Sequence, residues 1–219
     1  MFPRLREFSP MQEGSLKSRI ENLLVRCGFK SSGLFVMDGS KRSTHGNAYF
    51  TGFGRTKRIV FFDTLVSRLS ENEIEAVLAH ELGHFKLHHV VRRMIWTFVV
   101  SLGLLAVLGL LKAKSGFYQG LGVSFPATNA MALVLFALVV PVFTFLLHPL
   151  VAMYSRKHEF EADRYAATYS SARELVNALV KLYKDNASTL TPDPLHSAFY
   201  DSHPPASTRI ARLHSLPAA

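Results

Sequence analysis

The chain is short of cysteine, of acidic residues and, over two long stretches, of charge altogether. Cys27 is the only cysteine in 219 residues. No intrachain disulfide can form, and no zinc-finger spacing of thiolates exists; both agree with exposure to a reducing cytosol. Asp and Glu number 16 against 25 Lys and Arg, a formal charge of +9. There is no RNA-binding aromatic signature, so this excess does not read as a nucleic-acid surface. The N-terminus carries no signal-peptide pattern. Met94 to Leu111 is eighteen residues without a charged side chain, and Ser115 to Ser155 has none either.

Those uncharged runs account for a mean hydropathy of +0.16, high for a soluble protein. Eighteen or more apolar residues is the length at which a helix can cross a bilayer. Leu102 to Leu111 is apolar all round, whereas a core helix of a soluble protein keeps a polar face. Two spans are expected, over residues 94–111 and roughly 127–150. Between them, Gly116 to Asn129 forms a polar, proline-bearing connection. Lys86, Arg92 and Arg93 precede the first span and Arg156, Lys157 and Arg164 follow the second, against Lys112 and Lys114 between them. The positive-inside rule then puts both outer flanks on the cytosolic side, beside anionic headgroups. His148 falls at the end of the second span and reads as an interfacial residue.

The chemistry concentrates in His80-Glu81-Leu82-Gly83-His84. Histidines four apart lie on one helical face, so both imidazoles can reach one zinc ion at about 2.0–2.1 Å. Neutral imidazole leaves the charge of zinc intact, and the glutamate between them can take a proton from a water that the metal activates. Ser70-Glu71-Asn72-Glu73 reads as a capping box. Ile74, Val77, Leu78, Leu82 and Phe85 then recur at helical spacing, so the motif lies on a helix. That helix is expected to run on into the first span without a break. Upstream, residues 14–27 read as a helix ending at Gly28. Leu34–Met37, Asn47–Gly52 and Arg58–Phe62 read as strands, the last two joined through Gly54.

A catalytic zinc needs a third protein ligand. Ser155 to Asp163 offers Glu159, Glu161 and Asp163. Glu159 and Asp163 share a helical face, as ligand and as acceptor for a ligand histidine, while Glu161 points elsewhere and reads as solvated. Spacing favours Glu159 over Glu161 without deciding between them. His203, ahead of Pro204 and Pro205, reads on its own as a turn histidine.

Taken together, His80–Leu87, Ser155–Asp163, Asn47–Phe50, Lys57–Leu65 and Ser202–Pro205 resemble the CAAX prenyl protease 1 family, in the same order and over nearly the whole chain. These are integral-membrane zinc endopeptidases of the endoplasmic reticulum that process prenylated proteins. The resemblance implies Glu159 as the third zinc ligand, Asp163 as the partner that supports the ligands from behind, His203 as an oxyanion donor near the zinc and Arg209 as a support. It also implies that Asn47, Ala48 and Tyr49 form an edge strand that pairs with an extended peptide. His88 stands where relatives have a small residue and is expected to face outward. Relatives carry further membrane helices before the segment matching Phe2-Pro3; metal binding is expected to survive without them, guarded processing of a lipidated substrate is not.

The expected fold is mainly α: a membrane helical hairpin with a zincin-type HExxH catalytic domain and a small β-sheet. Residues 1–93 hold the first part of the protease domain, 94–150 the hairpin and 151–219 the remainder. The expected function is zinc-dependent cleavage of prenylated, for example farnesylated, CAAX proteins. One Zn2+ per chain is expected, with a multi-pass endoplasmic reticulum location, the metal on the cytosolic side and no nucleic-acid partner. Two alternatives are a broader membrane quality-control metalloprotease and a non-catalytic zinc-binding scaffold; a purely structural site gains nothing from Glu81.

Overall fold

A computed structural model describes residues 8–38, 48–51, 57–124, 128–185 and 192–216. The N-terminal part pairs a small sheet with one helix. Strands β1 (Phe8–Pro10), β2 (Leu34–Met37), β3 (Ala48–Thr51) and β4 (Arg58–Phe62) lie in the order β1-β2-β4-β3. β2 and β4 run parallel, and the outer pairs are antiparallel, with Ala48 opposite Phe61 and Phe50 opposite Ile59. Helix α1 (Ser15–Arg26) crosses between β1 and β2. It ends as its glycine predicts: Gly28 sits at φ 59°, its N–H donates to the Val25 carbonyl and that of Phe29 to the Leu24 carbonyl. This is the double bond of a Schellman cap. Ile20, Leu23, Ile59 and Phe61 are fully buried between helix and sheet.

A short α2 (Asp63–Arg68) leads into α3 (Glu71–Lys86), the motif helix. Its capping box forms as read: the Glu73 N–H donates to Ser70 Oγ and the Ser70 N–H to the Glu73 carboxylate. Ile74, Leu78 and Leu82 bury its apolar stripe in the core with Leu175 and Leu213. The expectation that α3 continues into the first span is not met. The chain turns at Leu87 and His88, and α4 (His89–Leu111) starts afresh. His88 is in the left-handed region at φ 57° and ψ 31°, alone among described non-glycine residues in having a positive φ. A left-handed residue ends a helix as glycine would. Composition alone hides that break, because neither glycine nor proline marks it.

After α5 (Ser115–Gln119), helical structure runs through α6 (Asn129–Thr144), a 3₁₀ turn (Phe145–Leu147) and α7 (His148–Tyr169). The 3₁₀ turn sits one turn before Pro149, which has no N–H to give the Phe145 carbonyl. α4 and this second rod are long and apolar enough to cross a membrane. Apart from His89 on α4 and Ala132 on α6, neither α4 nor α6 buries a residue. The second rod is 41 residues, about 61 Å at 1.5 Å per residue, twice a hydrocarbon core of about 30 Å. Its apolar first part, to about Leu150, has the length of a span, and the rest of α7 stands clear of it. Three more helices, α8 (Ala172–Asp185), α9 (Pro194–Tyr200) and α10 (Ala206–His214), pack on α7 and α3.

α3 packs most extensively on α7, and they approach closely at Gly83. A Cβ there would lie 3.0 Å from Tyr165 Cβ, 3.1 Å from Ala162 Cα and 3.3 Å from the Ala162 carbonyl oxygen. Two of these are backbone atoms that cannot swing away. Gly83→Ala gains about 1 kcal/mol of helix propensity but incurs an overpacking cost of roughly 1–3 kcal/mol. We therefore expect a lower unfolding midpoint for Gly83→Ala in detergent. Gly103→Ala, on α4 with nothing within 4 Å, should show no loss. Equal midpoints for the two variants would contradict the close approach.

Candidate metal centre

The seam between α3 and α7 brings His80, His84 and Glu159 together. His84 Nε2 lies 3.1 Å from His80 Nε2 and 3.4 Å from Glu159 Oε1, and His80 Nε2 lies 3.6 Å from Glu159 Oε2. Donors of one tetrahedral ion with bonds of about 2.0–2.1 Å are roughly 3.4 Å apart. The two imidazole planes stand at 79°, so both lone pairs can converge on one point. Glu159 is 4% exposed, and its buried Oε2 accepts no hydrogen bond from the described residues. A buried carboxylate oxygen without a donor is costly unless a cation meets it. The residues therefore fit a metal ion.

A second layer fixes these groups. His80 Nδ1 is 2.9 Å from Asp163 Oδ1. Arg209, on α10, clasps the same carboxylate through Nε at 2.9 Å and Nη2 at 2.5 Å, and its Nη1 lies 3.6 Å from Glu159 Oε2. Arginine only donates. The 3.4 Å approach of Arg209 Nη2 to His80 Nδ1 is thus two donors aimed at one oxygen, so His80 holds a proton on Nδ1 and Nε2, facing Glu159, is the nitrogen that would take a metal. His203 Nδ1 lies 3.1 Å from Glu159 Oε2 without hydrogen-bond alignment, and its side chain is 66% exposed.

The charges reinforce one another. Burial works to raise the Glu159 carboxyl, but the His203, His80 and His84 rings facing it prevail and hold it well below the usual carboxylate range. Burial lowers His80, yet its contact with Asp163 and the facing Glu159 carboxylate carry it to about 9. His203 is raised by Glu159. In a site without metal, protons therefore take the place of the cation between these carboxylates.

The expected residues arrive unevenly. His80, His84, Glu159, Asp163, Arg209 and His203 converge. Glu81 is half-buried on the same helix, between the two histidines. Ala48 and Tyr49 lie on β3, which among described residues is paired on one side only. Its Phe50 ring is 6.3 Å from that of Phe85, next to His84, so this edge lies at the C-terminal end of α3. Asn47 and Gly54 lie outside the described residues. His88 is exposed, as read, and His148, expected at the membrane interface, is exposed at the start of α7. Glu161 differs from the solvated residue expected: its Oε2 faces His89 Nε2 at 3.0 Å, and its side chain is 35% exposed. His89 and His158 escaped the sequence reading. His89, five residues after His84, is off helical register and comes near it only because of the turn at His88.

Arg209→Met would leave Asp163 charged and buried with only His80 beside it. Removing one partner of a buried ion pair typically costs about 3–5 kcal/mol. We expect a urea midpoint lowered accordingly, measured in detergent. An unchanged midpoint would mean that the pair does not hold the centre together.

The chain matches the model of Peptidase family M48 over residues 10–216. It is 37% identical over 228 residues to CAAX prenyl protease 1 of Saccharomyces cerevisiae, covering 97% of this chain and 50% of that protein. Against the human CAAX prenyl protease 1 homolog the identity is 31% over 253 residues, covering 98% and 53%. The crystal structure of S. mikatae Ste24p aligns with a TM-score of 0.85 at 37% identity, over 95% of this chain and 52% of that one. The chain spans about half the length of the curated relatives it matches. Because the family model takes in both helices of the metal centre and the helix that bears Arg209, the chain belongs to Peptidase family M48.

Proposed function

We propose that this chain carries the catalytic centre of a zinc metalloendopeptidase acting on prenylated proteins that end in a CAAX sequence. The observation that carries this reading is the convergence of His80, His84 and Glu159, backed by Asp163 and Arg209, around one metal-sized space. These three side chains would hold one Zn2+. Zinc supplies polarisation of the scissile carbonyl and a lowered pKa for water.

The chain's own groups do the rest. Glu81, within the motif, accepts the proton from the attacking water and returns it to the leaving amine. His203, exposed beside Glu159, donates to the oxyanion that develops on the carbonyl. The open edge of β3 receives the peptide as an added strand, main chain to main chain, and Asn47, Ala48 and Tyr49 set its register. The names of the relatives support a prenylated substrate. The resemblance to the prenyl proteases supports a multi-pass protein of the endoplasmic reticulum membrane, and the basic residues flanking the two membrane-length stretches support a metal centre that faces the cytosol.

Glu81→Gln keeps the shape of the side chain but removes the base. We expect zinc content to stay at one per chain, while cleavage of a farnesylated CAAX peptide falls by at least about 10²–10⁴-fold. The parent for this assay is a fusion in which the upstream half of the S. cerevisiae relative precedes residue 1. A parent fusion that binds zinc and cuts neither farnesylated nor plain peptide would sink the protease reading. Equal cutting of both peptides would point to a broader membrane protease.

A further inference from the structure

His80 and His84 each face Glu159 through Nε2, so each needs its proton held on Nδ1. For His80 the holder is Asp163. Among the described residues no carboxylate lies within reach of His84 Nδ1; the atom facing it is Nδ1 of His89, at 3.0 Å. His89 Nε2 in turn lies 3.0 Å from Glu161 Oε2. An ionised carboxylate only accepts, so His89 carries its proton on Nε2. The neutral ring then has a bare Nδ1, which can only accept, and His84 must be the donor. Donors and acceptors along the row agree with one assignment: His84 Nδ1–H to His89 Nδ1, and His89 Nε2–H to Glu161.

We infer that His89 and Glu161 are positioning residues for the metal ligand His84: together they fix its tautomer and aim its bare Nε2 at the metal space. This deepens the metal-centre reading above and rests on it.

The fold is arranged to make the contact. His88 adopts its left-handed conformation between α3 and α4. For a side chain with a Cβ, that backbone state is disfavoured. The turn it makes folds His89, 4% exposed, back against His84 rather than letting it project along a continuing helix. Strain of this kind persists where the surroundings enforce it. Stacking completes the cage, because the His158 ring lies over that of His89 at 4.1 Å with 5° between planes.

His89, His158 and Glu161 also cluster closely enough to suggest a cation site of their own. The stacking argues against it. An imidazole lone pair lies in the ring plane, and two nearly parallel planes 4.1 Å apart share no point where one ion could meet both. The crossed rings of His80 and His84, at 79°, make the contrast.

The test is Co2+ titration of the full metal-free chain in detergent micelles, followed by the d–d absorption of the bound ion, with thermal unfolding as a check of folding. Loss of an outer partner of a ligand typically costs 10–100-fold in metal affinity. Glu161→Leu and His89→Phe should each weaken Co2+ binding by about that factor and alter the d–d band. Glu161→Gln, whose amide oxygen still accepts from His89 Nε2–H, should stay within about threefold of wild type, and so should His158→Phe. Glu161 is half-exposed, so its variants should fold even if His89→Phe does not. Unchanged affinity in Glu161→Leu would overturn the inference. So would an equal loss in Glu161→Gln, or a second equivalent of Co2+ that disappears in His158→Phe. His84→Ala is the separate control: if it bound Co2+ like wild type, the ligand assignment itself would fall, whatever Glu161 does.

Discussion

The distance between α3 and α7 is the quantity on which this structure turns. Three donors from positions 80, 84 and 159 must come within about 3–4 Å of one another to serve one ion, so a glutamate on α7 has to meet two histidines on α3. Gly83 and Ala162 remove the side chains that would hold the helices apart, and Ala79 and Ala166 are fully buried near them. The apolar core keeps the helices pressed together: Ile74, Leu78 and Leu82 from α3 meet Leu175 and Leu179 of α8 on one side of the polar centre. The motif's glycine is thus a packing requirement before it is a matter of chemistry. Polar residues gather at the seam because only there do they find one another out of water.

Burying so much charge is costly unless each group is matched. Glu159 and Asp163 bring two carboxylates, and Arg209 brings one cation that reaches both. One positive charge stays lacking. With no metal bound, protons on the histidines supply it, which is why His80 is driven up to about 9 despite burial. A divalent cation more than covers that deficit and meets the Oε2 atom, which accepts no hydrogen bond from the described residues. Electrostatic need and ligand geometry therefore point to the same space.

The parts with local signals were legible in the sequence. The capping box, the α1 stop at Gly28, the bounds of β2 and β4 and the shared face of Glu159 and Asp163 each depend on residues within a turn or two of one another. What escaped was set at long range or by an unusual local choice. β1 is three residues with no apolar alternation, held by pairing with β2. The break after α3 uses a histidine in the conformation that favours glycine, so no composition rule marks it. Glu161 looked solvated because its partner, His89, is 72 positions away in sequence and reaches it only through that break. The resemblance to the prenyl proteases named His203 and Arg209; nothing in their own neighbourhoods would have.

The two ligand histidines are then held from opposite sides by different means. His80 is anchored by Asp163 and Arg209, all within the buried seam and tied to α10. His84 leans on His89, the first residue of the membrane-length helix α4, and through it on Glu161, which also lies 3.9 Å from Lys157 near the emergence of α7 from the apolar region. One arm of the metal centre is thus set by the soluble core and the other by the ends of the two helices that meet the lipid. Any shift of α4 against α7 acts first on the second arm, by separating His89 from Glu161. It reaches the first arm only where α7, which carries Asp163, also moves against α3, so the position of α4 bears on the aim of His84 before that of His80.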